Sequence, residues 1–368
     1  MLERLHLINW RNYNQTALDF SGGRLNVFYG PNGAGKTNLL EAIFFLGILR
    51  SFRTGQLREV IRQGTSTAII EGDCLRRGTY RERLRVEITP GARRRLSIDE
   101  MPIGRSSDFI RRNLPVAFTP NDIQLVAGTS ALRRRFTDMS LSLLDGEYLR
   151  NLNDFTQALR QRNALFKHPR SRTGEAVAAS FEPVLAQTAC FIVRKRKDFI
   201  KRLETETRTL LQGLNKPDDA GFAIRYAPDY PDSPAEYLEK LRKDRAKEWQ
   251  RTHSLFGPQT DDFDFFYQGR LMRSYASTGQ MRLVALHLKM ASVTLLSEAA
   301  QKGGSEVVVL VDDVTGELDE ENTEQFFHTV NMADQTFFTL TAPPQHPFFQ
   351  KGKFFQLTAG KVEAVPQQ

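Results

Sequence analysis

Cysteine is nearly absent: 368 residues hold only Cys74 and Cys190. Two thiols so far apart in sequence exclude a disulfide-dense scaffold and a cysteine-rich zinc site, and suit a reducing compartment. Long apolar runs are scarce too. The longest near the C-terminal end is residues 307–311, against the roughly 20 residues of a membrane span. The opening Met-Leu-Glu-Arg-Leu-His has no basic-then-apolar leader pattern. A cytoplasmic protein with no membrane partner is therefore expected. Acidic residues are short in the first two-thirds. Residues 1–130 and 131–255 each carry a formal +7, while residues 256–368 carry −6, for +8 in all. That asymmetry points to a polyanionic partner, nucleic acid first, for the first 255 residues.

The patterning changes twice along the chain. Leu5 and Leu7 alternate with polar neighbours, as do Leu18 with Phe20, Leu84 with Val86 and Ile88, and Leu96 with Ile98, so short strands are expected. Pro90-Gly91 between the last two runs predicts a hairpin. From about Ala131 the spacing becomes helical: Tyr148, Leu152, Phe155 and Leu159, then Phe181, Leu185, Thr188, Ile192, Phe199 and Leu203. Beyond Gly257 an α/β pattern returns, with a helix over about 280–297 and strands at 307–311 and 336–341. The expected organisation is an α/β head split by a mainly helical lobe: residues 1–130, lobe 131–255, head again 256–368.

Gly30-Pro31-Asn32-Gly33-Ala34-Gly35-Lys36-Thr37 fits G-x-x-x-x-G-K-[ST], the Walker A loop, between a predicted strand and a predicted helix. Its glycines let backbone N–H groups wrap a phosphate, and the helix start adds a positive dipole end. Lys36 is then a phosphate ligand, Thr37 a Mg²⁺ ligand, and ATP the expected cofactor. Val308-Val309-Leu310-Val311-Asp312-Asp313 reads as the partner Walker B strand. Asp312 would hold Mg²⁺, and Asp313 would activate the attacking water. Asp319 stands seven residues after Asp312, the position of the D-loop acid in ABC-type ATPases. Ala276-Ser277-Thr278-Gly279-Gln280 resembles the ABC signature, with Ser277, Gly279 and Gln280 matching and Ala276 and Thr278 departing. In that architecture the signature meets the nucleotide of a second protomer, so an ATP-dependent homodimer follows.

Trp10-Arg11-Asn12-Tyr13, the run Lys36 to Ile43, Ser51-Phe52-Arg53-Thr54, Phe118-Thr119-Pro120-Asn121-Asp122, Arg133 to Asp138 and Gln161 to Leu165 together resemble the RecF family of bacterial DNA repair proteins. The resemblance runs from the first residues to Asp319. It implies an ABC-type ATPase head, a P-loop mixed sheet with an antiparallel N-terminal β-subdomain. It also implies a weak ATPase that clamps single- and double-stranded DNA at gaps and helps RecO and RecR load RecA. It places Arg11, Asn12 and Asn38 beside the nucleotide and gives residues 118–124 a role in sensing metal and water. Two stretches depart from the family pattern. Gly257-Pro258-Gln259-Thr260-Asp261-Asp262 lacks the usual His and Arg, and no switch histidine follows the strand ending near Thr341, where Thr341 itself is the substitute.

Two basic clusters are candidate DNA contacts: Arg93, Arg94 and Arg95 after the hairpin turn, and Arg194, Lys195, Arg196 and Lys197 on a helix. Arg76, Arg77, Arg81, Arg83 and Arg85 join the first cluster. Neither cluster carries base-reading logic, which suits phosphate contact. Two other classes compete: an ABC-type ATPase subunit serving another DNA-processing partner, and a small-molecule P-loop kinase. The signature-like segment and Asp319 argue against the kinase.

Overall fold

The computed structural model describes residues 1–76, 78–212, 221–314 and 318–365. The chain divides into one unit of Met1–Asp122 with Lys289–Gln368 and a second of Ile123–Leu288.

In the first unit, the all-apolar run at 307–311 needs cover on both faces, which a parallel sheet core supplies. Glu306–Asp312 is accordingly an inner strand of a six-stranded sheet. The order is Lys361–Val365, Lys353–Thr358, Leu25–Tyr29, Gln335–Leu340, Glu306–Asp312, Asn113–Phe118. Every neighbouring pair is parallel except the first. The helix Lys36–Ile48 is buried along nearly its whole length, as expected of a helix apolar on all sides. Phe20 sits edge-on to Phe28, Phe337 and Phe355, with ring centroids 5.0–6.0 Å apart.

The alternating segments form a second, antiparallel sheet: Tyr13–Asp19, Leu2–Trp10, Ala68–Arg76, Tyr80–Ile88, Arg95–Ile98, Met101–Pro102. Leu5, Leu7, Ile70, Leu84 and Val86 are buried on one face. Arg81, Arg83 and Arg85 alternate with them, as expected, and each is drawn into a cross-strand ion pair. Arg83 meets Asp73 at 2.8 Å, Arg81 meets Glu3 at 2.7 Å, and Arg85 pairs with Glu71. Arg4–Asp19 and Arg95–Glu87 extend the pattern at 3.6 and 3.3 Å. Cross-strand pairing of opposite charges is the ordinary way such a face is stabilised. Arg76 is buried against Glu82 at 2.8 Å, and Arg77 lies outside the described residues. These ion pairs compete with the phosphate contacts expected of the hairpin arginines.

The second unit is mainly helical, with Ser130–Leu144, Gly146–Leu165, Arg172–Gln212 and Pro234–Arg251. It reaches beyond residues 131–255 because Ala223–Arg225 pairs antiparallel with Asp264–Tyr267, which draws the following residues into the same unit. Of the expected stripe, Leu185, Thr188, Ile192, Phe199 and Leu203 are buried and Phe181 is half-buried. Arg172–Gln212 and Thr278–Gly303 are long and apolar enough to span a membrane by length and composition, but their apolar windows are 50% and 72% buried inside the protein, as in core helices.

Arg196 is a correction. It is 1% exposed and binds Asp138 at 2.8 and 3.0 Å, Asp261 at 2.7 Å and the Pro258 carbonyl at 2.8 Å. Tyr230 donates to the other Asp261 oxygen at 2.7 Å, and Tyr226 donates to Asp261 as well. Lys195 pairs with Asp145 at 2.7 Å and Lys197 with Asp232 at 2.9 Å. Arg194 is exposed. The helix cluster is thus one core strut, two neutralised lysines and one exposed arginine.

Removing one member of a buried ion network leaves its partners uncompensated, typically about 3–5 kcal/mol. Arg196→Ala should lose stability on that scale in denaturant unfolding. Lys197→Ala should leave the midpoint nearly unmoved. Equal midpoints for the two variants would contradict the core role of Arg196.

Candidate nucleotide site

The Walker loop is built against the rest of the first unit by contacts that only glycine permits. Gly30 has φ 152°, and a Cβ there would collide with the Leu357 carbonyl. Gly35 has φ 107°, and a Cβ there would run into the Asn12 amide and the Tyr13 hydroxyl. Tyr13 donates to the Gly35 carbonyl at 3.0 Å, and Asn38 Nδ2 donates to Asn12 Oδ1 at 2.7 Å. Trp10 Nε1 donates to the Asn38 carbonyl at 2.8 Å. The Trp10–Tyr13 turn is therefore a buttress for residues 30–38.

Lys36 is 7% exposed, and its ammonium donates to the Gly30 carbonyl at 2.7 Å and the Pro31 carbonyl at 3.0 Å. Burial lowers its pKa, while Asp313 and Asp312 pull it back up. A cation held only by neutral carbonyls at a helix N-terminus is a ready anion site. The Thr37 hydroxyl donates to Asp312 Oδ1 at 2.9 Å. Thr339 donates to the same oxygen at 2.7 Å. Burial pushes the Asp312 carboxyl above its usual range, and the two threonine hydrogen bonds pull it back. Asp313 follows with φ 52° and an exposed side chain, its N–H reaching the Thr339 carbonyl at 3.3 Å. The oxygens of Thr37 and Asp312 are the hard donors that Mg²⁺ takes, with phosphates and water completing its shell.

Sequence reasoning missed Thr339. Thr341, expected in the switch position, is exposed beyond the end of Gln335–Leu340, and Thr339 is the residue that touches Asp312. Its place just after Phe337-Phe338, one residue from the C-terminal end of a buried strand, was the available signal. Arg11 is tied to neighbours that the sequence did not single out. Its Nε and Nη2 donate to Glu41 at 2.7 and 2.6 Å, and its Nη1 donates to the Glu59 carbonyl at 2.6 Å. Its neighbour Asn12 lies against the loop at Gly35.

Within residues 118–124, Asp122 accepts from the Thr119 N–H at 2.9 Å and hydroxyl at 3.0 Å. Lys289, another residue the sequence did not single out, meets Asp122 at 3.1 Å and donates to the Ala117 carbonyl. Asp319 caps the helix Glu320–Val330 by accepting from the Asn322 N–H at 2.9 Å. Residues 315–317 before it lie outside the described residues.

The signature segment lies in the second unit. Ser277 N–H donates to Gln280 Oε1 at 2.9 Å, and Gln280 N–H donates to Ser277 Oγ at 3.2 Å. This reciprocal capping box starts the helix Thr278–Gly303. Ser277, Thr278, Gly279 and Gln280 are all exposed. In the altered 257–262 turn, Asp261 completes the Arg196 network, and Asp262 pairs with Arg133 at 2.8 Å and Arg273 at 3.3 Å.

Of the remaining DNA candidates, Arg95 pairs with Glu87 at 3.3 Å and stays exposed. Arg93 donates to the Gly104 carbonyl and Arg94 to the Leu49 carbonyl. Burial and neighbouring Arg50 hold the Arg94 pKa below the usual guanidinium range.

A family described as the RecF/RecN/SMC N terminal domain matches residues 1–357. The DNA replication and repair protein RecF of Bacillus pumilus is 32% identical over 98% of this chain and 99% of its own length. That of an Exiguobacterium species is 33% identical over 98% of each. The chain belongs to the RecF family. A solved structure described as the recombination mediator protein RecF-ATP in the RecFOR pathway superposes with a TM-score of 0.87, at 25% identity, over 99% of this chain and 97% of that one. An Smc head domain shares the fold at a TM-score of 0.53 and 14% identity. The expected fold, an ABC-type ATPase head with an antiparallel β-subdomain and a helical lobe, is the one found.

The raised Asp312 pKa has a sign that can be checked. Below the unfolded carboxyl pKa the group is protonated in both states and adds nothing unfavourable. As pH rises through the raised folded value, native stability falls. Asp312→Asn should therefore melt above wild type at pH 7 in nucleotide-free protein, with the gap closing toward acid pH. A variant that melts below wild type at pH 7 would contradict a burial cost at Asp312.

Proposed function

We propose that this chain is an ATP-switched DNA-binding protein of recombinational repair, a slow ATPase that dimerises on ATP and resets on hydrolysis. The observation that carries this reading is the meeting of Thr37 and Asp312 at 2.9 Å across 275 residues, at the mouth of a loop shaped for phosphate. Membership of a family whose relatives are named DNA replication and repair proteins supports the DNA side.

In this mechanism Lys36 and the backbone N–H groups from Gly33 to Asn38 bind the ATP phosphates, where Lys36 exchanges carbonyl partners for anionic ones. Thr37 and Asp312 hold Mg²⁺, which when bound neutralises phosphate charge. Asp313 orients the attacking water. It is one methylene shorter than glutamate, so its reach is reduced and turnover is slow, which suits a timer. Ser277, Thr278, Gly279 and Gln280 present a helix N-terminus and a hydroxyl to the nucleotide of a second protomer. Asp319 belongs to the same contact. RecO- and RecR-type mediators and RecA are the partners the family supplies, with gapped DNA as the substrate.

Two experiments test this. Asp313→Asn should bind ATP, dimerise and scarcely hydrolyse, while Lys36→Arg, which swaps a compact ammonium for a planar fork, should neither dimerise nor turn over. Sedimentation with and without ATP and Mg²⁺, alongside phosphate release, reads both. Wild-type turnover in Lys36→Arg would remove the Walker assignment.

For DNA, the paired sheet arginines and the buried Arg196 leave Arg50, Arg93 and Arg94 as the favoured patch. Each lost phosphate contact should flatten the log–log salt dependence of duplex binding by about 0.9. Reversing Arg50 and Arg93 to Glu should weaken binding and flatten that slope with ATP binding intact. Reversing Arg194 instead should do much less, and an equal effect would move the footprint to the helical unit.

A further inference from the structure

One residue interrupts the buried stretch of the helix Thr278–Gly303. From Val284 to Val293 every residue is buried except Lys289, whose side chain keeps 12% exposure. A cation amid apolar packing is costly unless it is paired. The Lys289 ammonium meets Asp122 Oδ1 at 3.1 Å and donates to the Ala117 carbonyl. Both Asp122 oxygens are engaged: Oδ2 accepts from the Thr119 N–H at 2.9 Å, and Oδ1 accepts from the Thr119 hydroxyl at 3.0 Å. The Asp122 N–H returns to the Thr119 carbonyl at 3.0 Å. The turn from Thr119 to Asp122 is thereby closed on itself and pinned to the helix by one cation. All of these residues belong to the first unit.

Sheet register places that turn. In the parallel pairing of Asn113–Phe118 with Glu306–Asp312, Ala117 stands opposite Leu310 and Phe118 opposite Val311. Thr119, the next residue, is therefore level with Asp312, one strand over, at the roughly 4.8 Å spacing of paired strands. Ligands of open α/β sheets sit outside the carboxyl ends of the strands. Here four such ends lie side by side. Leu25–Tyr29 leads into the phosphate loop, Gln335–Leu340 supplies Thr339, and Glu306–Asp312 supplies Asp312. The fourth end is the Thr119–Asp122 turn. By strand order it borders Asp312 on the side away from the phosphate loop. Pro120 and Asn121 within it are exposed.

We propose that Lys289 is a positioning residue for ATP hydrolysis, holding the Thr119–Asp122 turn as the wall of the site beside Asp312 and Asp313. This rests on the nucleotide-site reading above. Lys289 touches no nucleotide. It acts through Asp122 and the Ala117 carbonyl. Phosphate binding is the work of residues 30–38, on the other side of two strands, so the turn governs turnover and not nucleotide affinity. Stability alone does not account for the pair, because a buried ion pair replaced by neutral groups of similar volume is often no less stable.

The test is steady-state phosphate release by the full chain with ATP and Mg²⁺, read beside equilibrium affinity for a non-hydrolysable ATP analogue. Thermal melting confirms that each variant is folded. Lys289→Met combined with Asp122→Asn removes both charges, nearly keeps both volumes and leaves an amide oxygen for the Thr119 bonds. Misplacing a group near the reacting atoms costs up to about a hundredfold. The double variant should bind the analogue as wild type does, while kcat falls about tenfold or more. Unchanged kcat in the folded double variant overturns the proposal, and so does a loss of analogue affinity in proportion to kcat. If the double variant does not fold, Asp122→Asn alone decides. It loses only the ionic tie to Lys289, so kcat should still fall with analogue affinity kept, and an unchanged kcat overturns the proposal. Failure of the underlying reading looks different: wild type would release no phosphate, or Lys36→Ala would release it as wild type does.

Discussion

A buried carboxylate at the end of a central strand must be held by its neighbours, and much of this site follows from how Asp312 is held. Its Oδ1 takes hydrogen bonds from Thr37 and Thr339. For that to happen, the strand order must set Leu25–Tyr29, Gln335–Leu340 and Glu306–Asp312 side by side and parallel, with the Walker helix starting directly over them. Residues near both ends of the chain are thereby drawn to one point. The cost of burying Asp312 remains in the nucleotide-free protein as a raised pKa. That residual cost fits a site built to receive a cation and a polyphosphate.

The contiguous motifs were legible from the sequence because their chemistry is local. Eight consecutive residues specify a phosphate loop, and an apolar run ending in two acids specifies a buried strand with a polar tip. Features made by tertiary contact were not legible in the same way. Thr339 matters because its strand lies between two others, and strand order is not written in any single segment. Arg196 was misread for a different reason. Four consecutive basic residues look like a surface run, yet Ile192, Arg196, Phe199 and Leu203 fall at i, i+4, i+7 and i+11 and are all buried. The helical period held the answer, and the charge obscured it. The pairing of Arg11 with Glu41, a buried acid in the next helix, was equally invisible in the sequence.

Net charge proved a poor guide to location. The arginines of the sheet face are matched by Glu3, Asp19, Glu71, Asp73 and Glu87, so they add nothing to the +7 of residues 1–130. That excess is carried by basic residues outside the face, and it is their placement that would steer a polyanion. What survives is smaller and more specific: Arg94 half-buried beside Arg50, donating to a backbone carbonyl. Like charges held together without a matching acid are what an incoming phosphate relieves.

The central claim is that each nucleotide is completed by two protomers, and a mixing experiment tests it most directly. In the proposed two-fold symmetric dimer the Lys36 of one chain and the Ser277 of the other would share a site. Lys36→Ala and Ser277→Arg should each be inactive alone. Mixed together with ATP and Mg²⁺, they form dimers in which one site has an intact loop and an intact signature, so phosphate release should reappear. Mixtures as silent as the separate variants would contradict the shared site.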